Sequence, residues 1–322
     1  MLYEKRWNDA YRVIAEHPNL AKVEQDGCLP LHIALLHDAP LNLILTICNA
    51  YPEASKVYHL VKSRFPLMLA IHWKKDDRSL ITRREKDSLI KTIFNVAQNM
   101  GTHLGEAKET VLHALLEGQP SLDVVKYLVN AVEGLPRTSK KLCQLMDSEK
   151  QYPLHVAIEY HCADEIIAYL IEKYPAAVLK GRIEKMTPLH LALLRGCTAG
   201  VLDLLLDHQG FKALTSIDED GNNPLHLWFA HERIADNVSR LAKDEHRNYK
   251  VLSDEEVFEK IASKFSLTEM QQLLSIVNND KNNIIDAAKD IQKFIFYPKL
   301  LIKRMEEIMR KDPFEVGTDD EC

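Results

Sequence analysis

The sequence predicts an all-α solenoid of about six to seven helix-turn-helix repeats, closed by helical caps, and three observations carry that prediction. A phrase recurs along the chain: Pro30-Leu31-His32, Val111-Leu112-His113, Pro153-Leu154-His155, Pro188-Leu189-His190 and Pro224-Leu225-His226. The histidines are separated by 81, 42, 35 and 36 residues, and a degenerate copy, Pro66-Leu67-Met68-Leu69-Ala70, splits the longest interval into 36 and 45. A period just above thirty residues is the mark of stacked repeats, each too small to bury its apolar face alone. Third, an apolar helical run ends 16 residues beyond each motif histidine, as in Leu43 to Cys48, Val124 to Val129, Ile166 to Ile171 and Val201 to Leu206, with Ile234 to Ala242 a more polar version.

The phrase Thr187-Pro188-Leu189-His190-Leu191-Ala192 resembles the signature of the ankyrin repeat, a β-turn followed by two antiparallel helices. Pro188 suits the first helical turn, where its missing N–H costs nothing, and Thr187 can cap the donors left free there. Leu189 and Ala192, three apart, share one buried face. The resemblance implies that His32, His113, His155, His190 and His226 are structural and fix their turns through hydrogen bonds to backbone. The spacing within a repeat is about one residue longer than the family's, which implies a turn between the helices unlike the usual Gly-His type.

In chain order, residues 1–25 are expected to cap the stack, with an amphipathic helix carrying Trp7, Tyr11, Val13 and Ile14, a stop at His17-Pro18, and a short element from Asn19 to Val23. Residues 26–242 hold the repeats, the second degenerate and interrupted by a charged insertion from Lys74 to Asp87. Tyr51-Pro52 and Tyr174-Pro175 end outer helices, because the residue before proline is pushed out of the helical region. Residues 243–279 are expected to be a helical insertion with capping boxes at Ser253 to Glu256 and Ser266 to Glu269. Residues 280–312 read as a diverged terminal repeat, aligning Asp286 with the motif histidine, and 313–322 as a mobile acidic tail.

Composition narrows the function classes. The chain carries 41 Lys and Arg against 47 Asp and Glu, a net charge of -6, which argues against general nucleic-acid affinity. No apolar run approaches the length of a membrane span. The six scattered cysteines suggest no disulfide framework, so a reducing, cytoplasmic location is expected. The resemblance extends to ankyrin proteins of protists and to effectors that intracellular bacteria deliver into host cells, whose glutamate-rich export tails the C-terminus is similar to.

There is no Gly-rich phosphate loop, Gly-x-Ser-x-Gly or His-Glu-x-x-His. His161-Cys162 are adjacent and point to different sides of a helix end, so no metal site or cofactor is expected. Cys28 near His32 is the one thiol-imidazole pair worth weighing as a nucleophile, but His32 is committed to its turn. The family resemblance instead places recognition on the concave side, at the exposed ends of the first helices and the hairpin tips. Those positions are His37, Asp38, Glu117, Tyr160, His161, Leu194, Arg195 and His231 at helix ends, with Asp26, Glu184, Lys185, Glu219, Asp220 and Asn222 at tips. A mixed row with Tyr160 and Arg195 suits a protein partner. The expected function is a monomeric, non-catalytic scaffold; the alternative is an enzyme-like effector whose C-terminal helical block acts on a partner that the repeats recruit.

Overall fold

The computed structural model describes residues 1–57, 65–72, 83–96, 110–134, 141–230, 252–292 and 299–311. The chain divides into two compact units, Met1–Ile166 and Ile167–Cys322. Among the described residues the secondary structure is helical, with isolated bridges only at hairpins such as Gln25 with Cys28 and Val277 with Asn283.

In the first unit, α1 (Trp7–Glu16) is followed by α2 (Pro30–Leu36), α3 (Leu41–Ala50), α4 (Pro66–His72), α5 (Arg83–Val96), α6 (Val111–Glu117), α7 (Leu122–Glu133) and α8 (Pro153–Glu159), after which comes α9 (Asp164–Lys173). Alternate helices form two rows: α2, α4, α6 and α8 pack in sequence, and α1, α3, α5 and α7 pack beside them. The inner helices are short because each starts at the motif proline or cap and must turn back within two turns. Their Leu31, Leu67, Leu112 and Leu154 are 0–2% exposed, so the motif leucine is the anchor of each repeat. Fully burying such a side chain stabilises by about 1.5–3 kcal/mol.

The cap helix differs in detail from the sequence expectation. It begins at Trp7 rather than near residue 3, ends at Glu16 before the His17-Pro18 stop, and buries Ala10 and Ile14 while Tyr11 stays 42% exposed. Its apolar face meets α3 on one side only, as an end helix must.

Proline after an aromatic or imidazole residue does more than stop a helix. His17, Tyr51 and Tyr174 have φ near -130° to -147° with ψ of 74–80°, outside the helical region that a following proline disfavours. A 3₁₀ turn then runs over Pro18–Lys22, Pro52–Lys56 and Pro175–Leu179, each burying an alanine (Ala21, Ala54, Ala177) to 1% exposure or less. The repeated Tyr-Pro pair thus adds a third short element to the repeat.

In the second unit α10 (Pro188–Arg195), α12 (Pro224–Ala230) and α15 (Ile284–Gln292) pack as an inner row, with α11 (Ala199–Leu214) against α10 and α16 (Lys299–Arg310) against α15. The contact between α12 and α15 joins helices about sixty residues apart, so 231–279 leaves the inner row unbroken. The proposed second helix of that repeat, 234–242, lies outside the described residues. Helix α13 (Asp254–Lys264) lies beside α11: Lys260 and Lys264 reach Asp203 at 2.8 and 3.2 Å, Lys264 also pairs with Asp207, and Phe265 packs on Phe211. Partial burial pushes the Asp203 pKa up, but hydrogen bonds from the two ammonium groups outweigh it and hold it below the usual carboxylate range. Both capping boxes form: Ser253 Oγ accepts from Glu256 N at 3.2 Å, and Ser266 Oγ, ahead of α14 (Leu267–Leu274), accepts from Glu269 N at 3.3 Å. Trp228, 1% exposed, fills the slot that Ala34, Ala157 and Ala192 hold in other repeats.

Candidate functional site

The motif histidines are buried, each at most 1% exposed, and their ring nitrogens are engaged by backbone. Nδ1 accepts an N–H three residues back: from Leu29 to His32, Thr110 to His113, Tyr152 to His155 and Thr187 to His190, all at 3.2 Å, and from Asn223 to His226 at 3.3 Å. With Nδ1 as acceptor the neutral ring carries its proton on Nε2. That N–H then donates to the next hairpin, from His32 to Val57 O at 2.9 Å, His113 to Gln151 O at 3.0 Å and His190 to Asn222 O at 3.0 Å. The rings of His32, His113 and His190 therefore each close their own turn and tie one repeat to the next. The hydroxyls of Thr110 and Thr187 lie 2.8 and 2.7 Å from Nδ1, so these caps also work through the imidazole.

Two departures follow the same logic. Met68 stands in place of histidine in the second repeat and is buried as an apolar filler. Asp286, at the histidine position of the diverged repeat, accepts from Asn283 N at 3.4 Å and is exposed. A carboxylate reproduces the acceptor half of the imidazole and has no N–H to hand onward.

The helix exits carry most of the sequence-predicted contact residues. In the first unit, His37 is half-buried at the end of α2, with Tyr3 edge-on to its ring at 5.7 Å. Asp38 and His161 have left-handed backbones, φ of 57° and 51°, as does Gln119 at 51°. The chain turns back through Ala39 N to Ala34 O at 2.9 Å and Cys162 N to Ala157 O at 2.8 Å, bonds that skip the left-handed residue. Tyr160 is 41% exposed, and its carbonyl accepts from Gln119 Nε2 at 2.8 Å, which brings the exit bearing Glu117 beside the one bearing Tyr160 and His161. Gln119 carries this link and was not among the predicted residues. In the second unit Arg195 is half-buried before Gly196, at φ 81°, the corresponding exit. His231 lies outside the described residues.

Glu184 and Asp220 sit at exposed hairpin tips of the second unit, and the backbone brings those tips together. Glu219 N donates to Glu184 O at 3.0 Å, and Asn279 N donates to Asp220 O at 2.9 Å. Asn279 Nδ2 also reaches Glu219 O at 3.1 Å, and Asn278 Nδ2 reaches Asn222 Oδ1 at 2.9 Å. Inside the turns, Asp218 Oδ1 accepts from the N–H groups of Asp220 and Asn222 at 2.9 and 2.8 Å, and Asn278 Oδ1 serves Asp280 and Asn282 in the same way. Gly221 is indispensable to the row. Its φ is +76°, and a Cβ there would stand 2.8 Å from Asn279 Oδ1 and 3.1 Å from Asn279 N. Gly221→Ala is expected to destabilise the second unit by about 1–3 kcal/mol, read as a lowered urea midpoint at unchanged m, with an unchanged midpoint as the contrary result.

The cysteine chemistry weighed from sequence meets a committed partner. Both nitrogens of His32 are engaged by Leu29 N and Val57 O. Cys162 is 1% exposed and its thiol donates to Leu116 O at 3.3 Å. Burial pushes the Cys48 thiol up to about 12, so it stays protonated. Among the described residues no three His, Cys, Asp or Glu side chains gather as a metal site, and no helix is long and apolar enough to cross a membrane.

No family model and no curated protein matches this sequence. Solved structures do match. The ankyrin repeat domain of Bcl-3, described as a member of the IkappaB protein family, superposes with a TM-score of 0.54 at 17% identity, covering 89% of this chain and 100% of that one. The chain has the ankyrin-repeat fold. With that fold in hand, the Nδ1 and Nε2 bonds of the motif histidines are the turn-fixing contacts that the sequence resemblance implied. A weaker likeness is to Bd0816, a predatory endopeptidase from Bdellovibrio bacteriovorus in complex with the immunity protein Bd3460, at TM-score 0.46 and 13% identity over 71% of this chain and 99% of that one.

Proposed function

We propose that this ankyrin-repeat chain is a non-catalytic scaffold that binds a protein partner through its inner-helix exits and hairpin tips, the concave side of the fold. The supporting observation is the division of labour between buried and exposed groups. The motif imidazoles are spent on backbone, whereas Tyr160, Glu184 and Asp220 are presented to solvent on turns fixed by hydrogen bonds. A surface already held in shape loses little conformational entropy on docking. Charged groups of the C-terminal block are paired with one another rather than converging: Lys289 lies 2.6 Å from Glu306, and Arg304 3.7 Å from Glu259. This favours the scaffold over the effector-enzyme alternative. The reading includes a monomer, no cofactor, no nucleic-acid partner and a cytoplasmic location, in keeping with five buried cysteines that form no disulfide among the described residues. The acidic tail, 313–322, with its export reading, lies outside the described residues.

A partner recovered with the native chain from lysate is the test. The double variant Tyr160→Ala/Arg195→Ala should recover at least about 10-fold less of that partner, since side chains of these types anchor interfaces with effects of 2 kcal/mol or more. Equal recovery by a variant with an unchanged melting curve would overturn the proposal.

A further inference from the structure

The hairpins of the second unit share a register that their backbone bonds define. Arg182 N to Met186 O at 3.0 Å, Asp218 N to Asn222 O at 2.9 Å and Asn278 N to Asn282 O at 3.0 Å are equivalent closures. Immediately before this closure stand Ile217 and Val277, which are 54% and 55% exposed, and on the neighbouring hairpin Ile183 is 46% exposed. Three β-branched apolar side chains thus face water on successive hairpins. The ladder of bonds from Glu184 through Glu219 and Asp220 to Asn279 holds them on a fixed backbone, so they cannot retreat by local rearrangement.

Charge distinguishes the centre of this row from its flanks. The outer hairpins, 181–187 and 277–283, mix Glu184 and Asp280 with Arg182, Lys185 and Lys281. The central hairpin, 217–223, has Asp218, Glu219 and Asp220 and no base, and Glu219 and Asp220 are exposed. Ile217 and Val277 hold one register position and Ile183 lies two residues further along its hairpin, at the level of Glu219, so apolar groups border an anionic centre, an arrangement complementary to apolar groups flanking a cation.

We propose that this hairpin row docks a segment of the partner protein in which a lysine or arginine is flanked by aliphatic or aromatic side chains. The aliphatic groups cover Ile183, Ile217 and Val277, and the cation faces Glu219 and Asp220. The inference rests on the scaffold reading and specifies its partner. It concerns this unit alone, so its fate separates from that of Tyr160.

A random peptide library displayed on phage and panned on the full chain tests it. Enriched peptides should carry Lys or Arg beside Leu, Ile, Val or Phe. Synthetic copies should bind at least 10-fold more weakly to Ile217→Ser/Val277→Ser and to Glu219→Lys/Asp220→Lys, while Tyr160→Ala binds them as the native chain does. All these positions are exposed, and the melting curve of each variant verifies folding. Enrichment of peptides without basic residues, or equal binding by both hairpin variants, overturns the inference. If lysate recovery still depends on Tyr160 and Arg195 in that case, the scaffold stands and only this assignment of its partner falls.

Discussion

Replacing His190 by alanine is expected to destabilise the second unit by about 3–5 kcal/mol, because it leaves two buried backbone groups without partners and opens a cavity. The groups are Thr187 N–H, which donates to Nδ1, and Asn222 C=O, which accepts from Nε2. Each orphaned group costs about 1–3 kcal/mol, whereas the ring itself contributes little apolar area. His190→Asn divides the effect. The acceptor that Asp286 supplies to Asn283 N shows that a short side chain can satisfy the near half of the motif, but it cannot reach the next hairpin. The asparagine variant should therefore fall between native and alanine in equilibrium urea unfolding. Equal losses for both variants would mean that the link to Asn222 carries none of the stability.

Acidification should unfold the chain in a pH range where ordinary carboxylates do not titrate. Burial lowers the pKa of His113, His190 and His226 from the usual 6.5, outweighing the opposing pull of the carbonyls of Gln151, Asn222 and Asn282. The unfolded chain then binds more protons than the folded one as pH falls. The stability these neutral rings provide is complete above about pH 6.5 and is lost as pH drops toward their folded values. Each imidazole that charges only on unfolding contributes a slope of at most about 1.4 kcal/mol per pH unit. Unfolding free energies between pH 8 and 5 should be level at the alkaline end and decline steeply below 6.5, with a shallower decline in His190→Asn. A level profile down to pH 5 would contradict the assignment of these rings as buried and neutral.

Much of the fold was legible because its rules are local. Proline or threonine at a helix start, with leucine and histidine directly after it, act within six residues, so Pro188 through Leu193 could be read directly. The Tyr-Pro stops were legible for the same reason, although the 3₁₀ turn that follows them was not. These turns pack against outer helices further down the chain, the one after Tyr51 on α5 and the one after Tyr174 on α11, which no local pattern announces. At the candidate site, residue types were readable and their neighbours were not. Asp38 and His161 turned out to occupy left-handed backbone positions, where the short route between helices sets the conformation. Gln119, Asn279 and the exposed Ile217 and Val277 drew no attention, since nothing nearby in sequence marks them.

By itself the sequence determined the repeat, the inner helices and the Nδ1 bond of each motif histidine, since a turn and its cap are completed by residues three or four apart. Tertiary structure alone decided which hairpins meet, which hairpin carbonyl the Nε2 of His32, His113 or His190 reaches, and that Asn279 and Gly221 lock one tip onto another. Those outcomes depend on contacts between residues far apart in the chain, nearly sixty positions in the approach of Gly221 to Asn279. Such contacts form only when whole repeats stack, and no local spacing encodes them.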